Sequence, residues 1–93
     1  MTDEVFFIEV VFRGRVQGVG FRWATQKVAA DFPVFGYVKN LPDGSVEMVA
    51  EGEMSETKSF LAAVQNTMAT WVESCDVSEH RGPRRFTDFS ILY

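Results

Sequence analysis

Residues 13–23, RGRVQGVGFRW, hold three glycines and three arginines within eleven positions, with no acidic residue and no proline among them. The preceding run Val5–Arg13, VFFIEVVFR, is rich in Val, Ile and Phe and predicts a strand that ends at Gly14. The following run Phe21–Asp31 carries apolar residues at helical spacing and predicts an amphipathic helix, stopped by Pro33. The stretch is therefore predicted to be a positively charged strand-to-helix connection.

The first strand divides into two unequal faces. One face is wholly apolar and the other is half polar, since side chains alternate along a strand. The apolar face comprises Phe6, Ile8, Val10 and Phe12; the other comprises Phe7, Glu9, Val11 and Arg13. This pattern predicts a central strand in a sheet that is covered on one side.

The remaining elements follow from apolar runs and turn residues. The segment LPDG between two apolar runs predicts a turn, because Pro presets φ, Asp bonds its own backbone and Gly takes a positive φ. Ser55 is a candidate N-cap for a second helix that extends to about Trp71. The further strands are predicted at Val34–Lys39, Ser45–Glu51, Cys75–His80 and Phe86–Leu92.

The order of these elements predicts an α+β fold of the ferredoxin-like, split βαβ type. It reads βαββαβ plus a C-terminal strand, an antiparallel sheet with two helices on one face. A right-handed crossover makes the first two strands parallel, so both finish at the same end of the sheet. The glycine-rich connection leaves the first strand at that end, and Asn40 leaves the second there. The topology alone therefore predicts that these two segments meet.

Composition limits the possible functions. The 93 residues are predicted to form a single domain, residues 1–93, with a net charge of -4, so a general grip on nucleic acid or anionic lipid is not expected. The one cysteine, Cys75, and the one histidine, His80, can form neither a disulfide nor a usual zinc site. Neither a signal peptide nor a membrane span is recognisable, which predicts a cytoplasmic protein without a membrane partner.

The opening stretch has the features of an anion site. A short turn that feeds a helix presents free backbone N–H groups at the positive end of the helix dipole. Glycines allow close approach, and Arg22 can add a bidentate fork to phosphate oxygens. The plainer alternative is an ordinary connection with solvated arginines. Neither a dinucleotide-binding GxGxxG pattern nor a Walker P-loop is present.

Three segments resemble the acylphosphatase family: GRVQGVGFR at 14–22, FGYVKNLPDGSVEMVAEG at 35–52 and FTDFSIL at 86–92. The resemblance implies hydrolysis of a small-molecule acyl phosphate to a carboxylate and inorganic phosphate, with no metal and no cofactor. It implies that Arg22 binds phosphate and that Asn40 positions the attacking water. The family's phosphate cradle maps onto the backbone amides of Arg15, Val16, Gln17, Gly18, Val19 and Gly20.

Other chemically capable residues are expected to be structural. Lys39 precedes Asn40 and should face the opposite side of the sheet. The run RGPRR, residues 81–85, is predicted to be a charged loop, and Trp71 and the methionines to be core fillers. The stretch TMATWVESCDV lacks the Gly- and Pro-rich helix exit of many family members, which leaves the end of the second helix open.

Two other functions are compatible with the same element order. One is a non-catalytic module that binds acyl phosphates, carbamoyl phosphate or similar anions without turning them over. The other is RNA binding, which needs aromatic platforms on the central strands and usually a basic face. The predicted third strand, SVEMVAEG, supplies neither. A domain of this size is expected to be a monomer.

Overall fold

A computed structural model describes residues Glu4–Tyr93. The prediction of one domain spans residues 1–93, of which the first three lie outside the described residues. The chain forms seven elements between Glu4 and Tyr93. They are β1 (Glu4–Gly14), α1 (Phe21–Ala29), β2 (Phe35–Asn40), β3 (Val46–Gly52), α2 (Met54–Thr67), β4 (Val72–Pro83) and β5 (Phe89–Leu92).

The strands form one five-stranded sheet in the order β4-β1-β3-β2-β5. The predicted ferredoxin-like fold is confirmed, and β1 and β2 are parallel because both pair antiparallel with β3 between them. One detail of the prediction is wrong: the sheet is mixed, since β5 pairs parallel with β2. β4 runs antiparallel to β1 and ends beside Glu4, so the chain crosses to the far edge there and enters β5 in the direction of β2.

Both helices lie on the apolar face of the sheet. The predicted inward face of β1 is confirmed, because Phe6, Ile8, Val10 and Phe12 are all buried in the main core. Phe21 of α1 packs its ring 5.0 Å from the ring of Phe12. This contact holds the start of α1 against β1, close to the point where the strand ends.

The opposite face of the sheet is covered in part by the connection between β4 and β5. Glu51 of β3 is fully buried there, and its carboxylate accepts hydrogen bonds from the backbone N–H groups of Arg85 (3.1 and 3.2 Å) and Phe86 (3.3 Å). The guanidinium of Arg85 lies 4.4 Å from the centre of the Phe7 ring, and the rings of Phe86 and Tyr37 are 5.8 Å apart. The prediction of a charged loop at residues 81–85 is wrong in part, because the first three of these residues belong to β4, which pairs along β1 as far as Pro83. The loop that follows Pro83 is anchored by an internal carboxylate.

The predicted bounds of the later elements need correction. The residue before α2 is Glu53 rather than Ser55, and Ser55 donates its hydroxyl to the Glu53 carboxylate. α2 ends at Thr67, well before Trp71, because Met68 leaves helical geometry and a tight turn follows.

The first helix ends at Ala29, two residues before its predicted end. The bounds of the last two strands also differ from the prediction. β4 is twelve residues long because it pairs along the whole of β1, and β5 begins only at Phe89. Trp71 does pack against the core, but Met54 is 42% exposed and is not a core filler.

Candidate active site

The conformation of the glycine-rich connection is set by one backbone hydrogen bond, one buried side chain and two glycines with positive φ. At its start, β1 ends at Gly14, and the N–H of Arg15 donates to the carbonyl of Trp71 at 3.0 Å. Val16 is fully buried and pins the middle of the loop to the core. Gly18 and Gly20 have φ angles of 77° and 75°, in the left-handed region that other residues rarely adopt. The loop therefore needs glycine at both positions to reach the start of α1.

A row of backbone N–H groups in this connection lacks hydrogen-bond partners within Glu4–Tyr93. The first helical hydrogen bond runs from the N–H of Ala24 to the carbonyl of Gly20 at 2.9 Å. Gly20, the N-cap residue, provides no side-chain cap. The amides from Val16 to Trp23 donate to no described group, whereas that of Arg15 is occupied by Trp71. The amides without a described partner thus begin at Val16, the second residue of the predicted cradle, and continue into the first turn of α1.

The side chain of Gln17 ties this loop to the turn after β2. Its Nε2 donates to the carbonyl of Leu41 at 2.8 Å and to that of Ser45 at 2.9 Å. Sequence reasoning considered only the backbone amide of Gln17. Nothing local could have shown the side-chain role, because its partners lie 24 and 28 residues away.

The turn between β2 and β3 has the predicted chemistry. The Asp43 carboxylate accepts from the backbone N–H of Ser45 at 2.9 Å and from its hydroxyl. These two hydrogen bonds, from the hydroxyl first and then from the amide, lower the pKa of Asp43, and the Arg13 guanidinium 3.6 Å away adds to the effect. The turn is therefore rigid on the side where it meets Gln17.

Asn40 is the last residue of β2, opposite Val46 of β3. It has the same strand parity as the buried Val38, so its side chain faces the helical side of the sheet. Asn40 is half-buried, and its amide makes no hydrogen bond to any described group. Lys39 faces the other way, as predicted.

Arg22 lies in the first turn of α1 and is half-buried. Its Nη1 donates to the carbonyl of Leu92 at 3.3 Å, and its guanidinium carbon lies 4.8 Å from the centre of the Tyr93 ring. No carboxylate among residues 4–93 comes within 4 Å of it. The charge of Arg22 is thus not neutralised by an internal partner.

These contacts place the loop, Arg22 and Asn40 at one end of the sheet, where β1 and β2 finish. Gln17 binds Leu41, the residue after Asn40. Arg22 binds Leu92, which pairs with Lys39, the residue before Asn40, across one strand spacing of about 4.8 Å. Asn40 is therefore bracketed by the two ends of the connection. The site joins a fixed cation, a neutral amide and several unpaired N–H groups.

The other candidate residues lie on β4, which β1 and β3 separate from β2 and Asn40. His80 on β4 approaches the Glu9 carboxylate with its Nε2 at 3.0 Å, and its ring stacks on Phe7 at 5.0 Å. Cys75 accepts a weak hydrogen bond from Gln65 at 3.6 Å, and burial raises the pKa of its thiol. Neither group contacts Arg22. In the described chain, no three metal-ligating side chains of the His, Cys, Asp or Glu type converge.

None of the described helices combines the length and the apolar character that a membrane crossing would require.

Comparison with known proteins identifies close relatives. A model of the acylphosphatase family matches residues 8–91. The acylphosphatase of Lactobacillus gasseri is 43% identical over 82 residues, which cover 86% of this chain and 90% of the relative. That of Syntrophus aciditrophicus is 42% identical over 87 residues, covering 92% and 91%. The crystal structure of acylphosphatase from Bacillus subtilis matches with a TM-score of 0.85 and 38% identity, over 95% of this chain and 99% of that one.

Proposed function

Because the chain belongs to the acylphosphatase family and is an enzyme that hydrolyses acyl phosphates, we propose that the reaction takes place at the N-terminus of α1. The reaction converts an acyl phosphate and water into a carboxylate and inorganic phosphate. We assign phosphate binding to Arg22 and to the backbone amides from Val16 to Gly20. We assign the positioning of the attacking water to Asn40.

One observation carries the proposal: a run of backbone N–H groups without partners ends in an uncapped helix N-terminus. Each such group is costly to leave unpaired unless an external acceptor or water reaches it. The helix dipole adds about half a positive charge at the same place. A phosphoryl group supplies several acceptor oxygens and negative charge, which is what this arrangement lacks.

Arg22 contributes the fixed charge. Its single hydrogen bond to Leu92 and its contact with Tyr93 orient the guanidinium and leave further N–H groups available. A guanidinium can bind two phosphoryl oxygens at once, which fixes the angle of the scissile bond as well as its position. Phosphoryl transfer proceeds through a loose transition state, so positioning and charge stabilisation supply most of the catalysis.

Asn40 suits the role of holding water. Its side-chain amide is unengaged, lies next to the segment that Gln17 binds and faces the same side of the sheet as α1. A carboxylate at this position would repel the phosphate of the substrate. A neutral amide can orient water by its carbonyl oxygen and does not titrate. In this mechanism the water oxygen bonds to phosphorus while the bond between phosphorus and the acyl oxygen breaks, and the protons of the water pass to the phosphate product and to solvent. The carboxylate is a stable anion, so it needs little help to leave.

The molecule acts as a monomeric single domain in the cytoplasm under this proposal. The single sheet, with its two helices on one face, supports the assignment of one unit. The half-buried thiol of Cys75, the one cysteine of the chain, is consistent with a reducing compartment.

The test is phosphate release from benzoyl phosphate in the presence of EDTA, for wild type, Arg22→Ala and Asn40→Ala. Loss of one preorganised donor in such a site typically lowers turnover by about 10²–10³-fold. Arg81→Ala is the matched control, because Arg81 lies at the opposite end of the sheet, beside Phe6. We expect large losses in both site variants, with circular dichroism unchanged, and wild-type rates in the control.

Two outcomes would overturn the assignment. Undiminished turnover in a folded Arg22→Ala or Asn40→Ala variant would remove that residue from the mechanism. Turnover that requires a metal would contradict a site built from amides and one arginine.

A further inference from the structure

A cavity of about 510 Å³ lies at the end of the sheet opposite to the proposed phosphate site. Phe6, one of its lining residues, pairs with Gly52 of β3 and with Arg81 of β4. From Phe6 the strand β1 runs on to Gly14, a distance of about 27 Å at about 3.4 Å per residue. The cavity is therefore separate from the site at the N-terminus of α1.

Part of the cavity wall is apolar, where β1 meets the start of α2. Val5, Phe6 and Met54 line it, and Met54 leaves its side chain exposed at the first position of the helix. A second hollow of about 310 Å³ shares Phe6, Met54 and Arg81 with the first. Hollows of roughly 300–1,000 Å³ that combine apolar surface with a few polar groups are typical of small-molecule sites.

Arg81 supplies a positive charge at this wall. Its guanidinium carbon lies 5.9 Å from the centre of the Phe6 ring, and no carboxylate of residues 4–93 lies within 4 Å of the guanidinium. The ammonium group of Lys58 lies at the same distance from that ring, but it pairs with Glu79 at 3.5 Å. The ring contact thus orients the Arg81 guanidinium and leaves its N–H donors available.

The first turn of α2 adds further donors beside the cavity. Its first helical hydrogen bond runs from the N–H of Thr57 to the carbonyl of Glu53 at 2.9 Å. The three amides before Thr57 therefore have no described partner, and no side chain caps the helix. The hydroxyl of Thr57 is fully buried and also lacks a partner within the described chain. This turn holds polar hydrogens that the described part of the protein does not use.

We propose that this cavity binds a monocarboxylate with an apolar body. The carboxylate lies on the guanidinium of Arg81 and the amides of the first turn of α2, and the body packs against Phe6 and Met54. Because the hydrolysis of acyl phosphates releases carboxylates, ligands of this class form wherever the enzyme works. The site is independent of the assignment of Arg22.

The charges of the lining select the class of anion. Two acidic and two basic side chains line the cavity: Glu4, Glu53, Arg81 and Arg84. Their formal charges cancel, so a doubly charged phosphate gains little net attraction and meets two carboxylates. A singly charged carboxylate can accept two parallel N–H donors from one guanidinium, while its apolar body displaces water from the wall.

The experiment follows the backbone amide signals of the wild-type protein by NMR while benzoate or inorganic phosphate is added. These signals report each residue separately, so binding at the two ends of the sheet is distinguished in one titration. We expect benzoate to shift the signals of Met54, Ser55 and Glu56. We expect inorganic phosphate to shift mainly the amides from Val16 to Gly20.

The variants test the role of Arg81. Arg81→Ala should raise the dissociation constant of benzoate at the α2 signals by at least about tenfold, because it removes a charged hydrogen-bond donor. Arg85→Ala is the matched control and should change it by less than about twofold, since the guanidinium of Arg85 stacks on Phe7. The dispersion of the amide signals shows in the same spectra that each variant is folded.

Three outcomes would overturn the site. They are benzoate shifts confined to the loop before α1, equal dissociation constants in Arg81→Ala and wild type, and phosphate shifts at the α2 signals as large as those of benzoate. A lack of phosphate shifts from Val16 to Gly20 would contradict the proposed function instead, and benzoate shifts at α2 in the same sample would still support this cavity.

Discussion

Two segments of the chain contain both arginine and glycine, and they lie at opposite ends of the sheet. The first, Arg15–Gly20, follows the end of β1, and its amides from Val16 onward have no described partner. The second, Arg81–Phe86, comprises the end of β4 and the loop after it, beside the start of β1. In that loop the backbone N–H groups of Arg85 and Phe86 donate to the carboxylate of Glu51. Similar composition therefore produces one open and one closed cluster of N–H groups.

The two clusters of N–H groups differ in whether a carboxylate of the protein lies within hydrogen-bond distance. Glu51 is a fully buried carboxylate within the second connection's reach, so the protein itself fills that cluster. No carboxylate of residues 4–93 reaches Arg22 or the first loop's free amides, so these groups remain open to an external anion or to water. Arginine and glycine in a loop thus indicate an anion site only when no internal acid faces them.

The largest expected effect separates Arg22, in the first turn of α1 after the first connection, from Arg85 in the second connection. Arg22→Lys should lower kcat/KM by at least about 10²-fold, because lysine lacks the planar fork that holds two phosphoryl oxygens. Arg85→Lys should leave kcat/KM within about twofold, since Arg85 stacks on Phe7 far from the site. Initial rates of phosphate release measure both. An active Arg22→Lys enzyme would show that charge alone suffices and would weaken the comparison.

The next effect concerns stability at the closed cluster. Glu51→Ala removes the acceptor of two backbone amides, and each unpaired buried donor costs about 1–3 kcal/mol. We expect the free energy of unfolding in urea to fall by about 2–4 kcal/mol, with the rate per folded molecule preserved. Glu73→Ala, at an exposed position on β4, should change it by less than about 0.5 kcal/mol. Equal stability in Glu51→Ala and wild type would mean that water replaces the carboxylate.

A smaller loss of kcat/KM should follow when the loop that carries the free amides is no longer bound to the turn after β2. Gln17→Ala removes two hydrogen bonds to the turn after β2, each worth about 0.5–1.5 kcal/mol. The loop amides would then be less ordered, and kcat/KM should fall by about three- to tenfold. Gln26→Ala is the control, because Gln26 also donates to a backbone carbonyl, that of Phe89, without touching the loop. If both variants behave alike, the clamp has no specific role.

The smallest effect is a pH dependence of the free energy of unfolding, caused by Tyr37 on the sheet face that the loop after β4 covers. Burial, followed by the hydrogen bond to Glu47, raises the pKa of Tyr37 to about 12 from 10.0. A raised pKa means that folding favours the neutral phenol, so this contribution is complete below pH 10 and is lost as pH rises from 10 towards 12. Urea unfolding at pH 9 and pH 11 should show this decline in wild type and a weaker one in Tyr37→Phe. Equal declines would assign the effect to another group.

The sequence predicted much of the fold because local rules decide it. The alternation along Val5–Arg13 identified the buried face of β1, and the residues of LPDG specified the turn that Asp43 closes. Helical spacing identified the start of α1 at Phe21. The crossover rule then brought the end of β2 to the same edge as the glycine-rich loop. Each of these inferences needs only side-chain period, backbone preference or chain direction.

The same rules failed where an element ends against a distant partner. α2 was expected to reach Trp71 but stops at Thr67, because Val72 already pairs with Gly14. β4 extends to Pro83 since β1 offers partners along its full length. β5 lies parallel to β2 because of where β4 ends, a consequence of pairing that no local pattern carries.

The sequence by itself determined that a glycine-rich, positively charged loop precedes α1. It also determined that a polar residue, Asn40, ends β2 at the same end of the sheet. It could do so because glycine, arginine and asparagine carry their conformational and chemical properties with them. Only the tertiary structure decided which N–H groups stay free, since Trp71 takes that of Arg15 and Glu51 takes those of the other connection. It also decided that Gln17 and Arg22 are held by residues 24 to 70 positions away. Hydrogen-bond satisfaction is a property of three-dimensional neighbours, so it becomes visible only once the chain has folded.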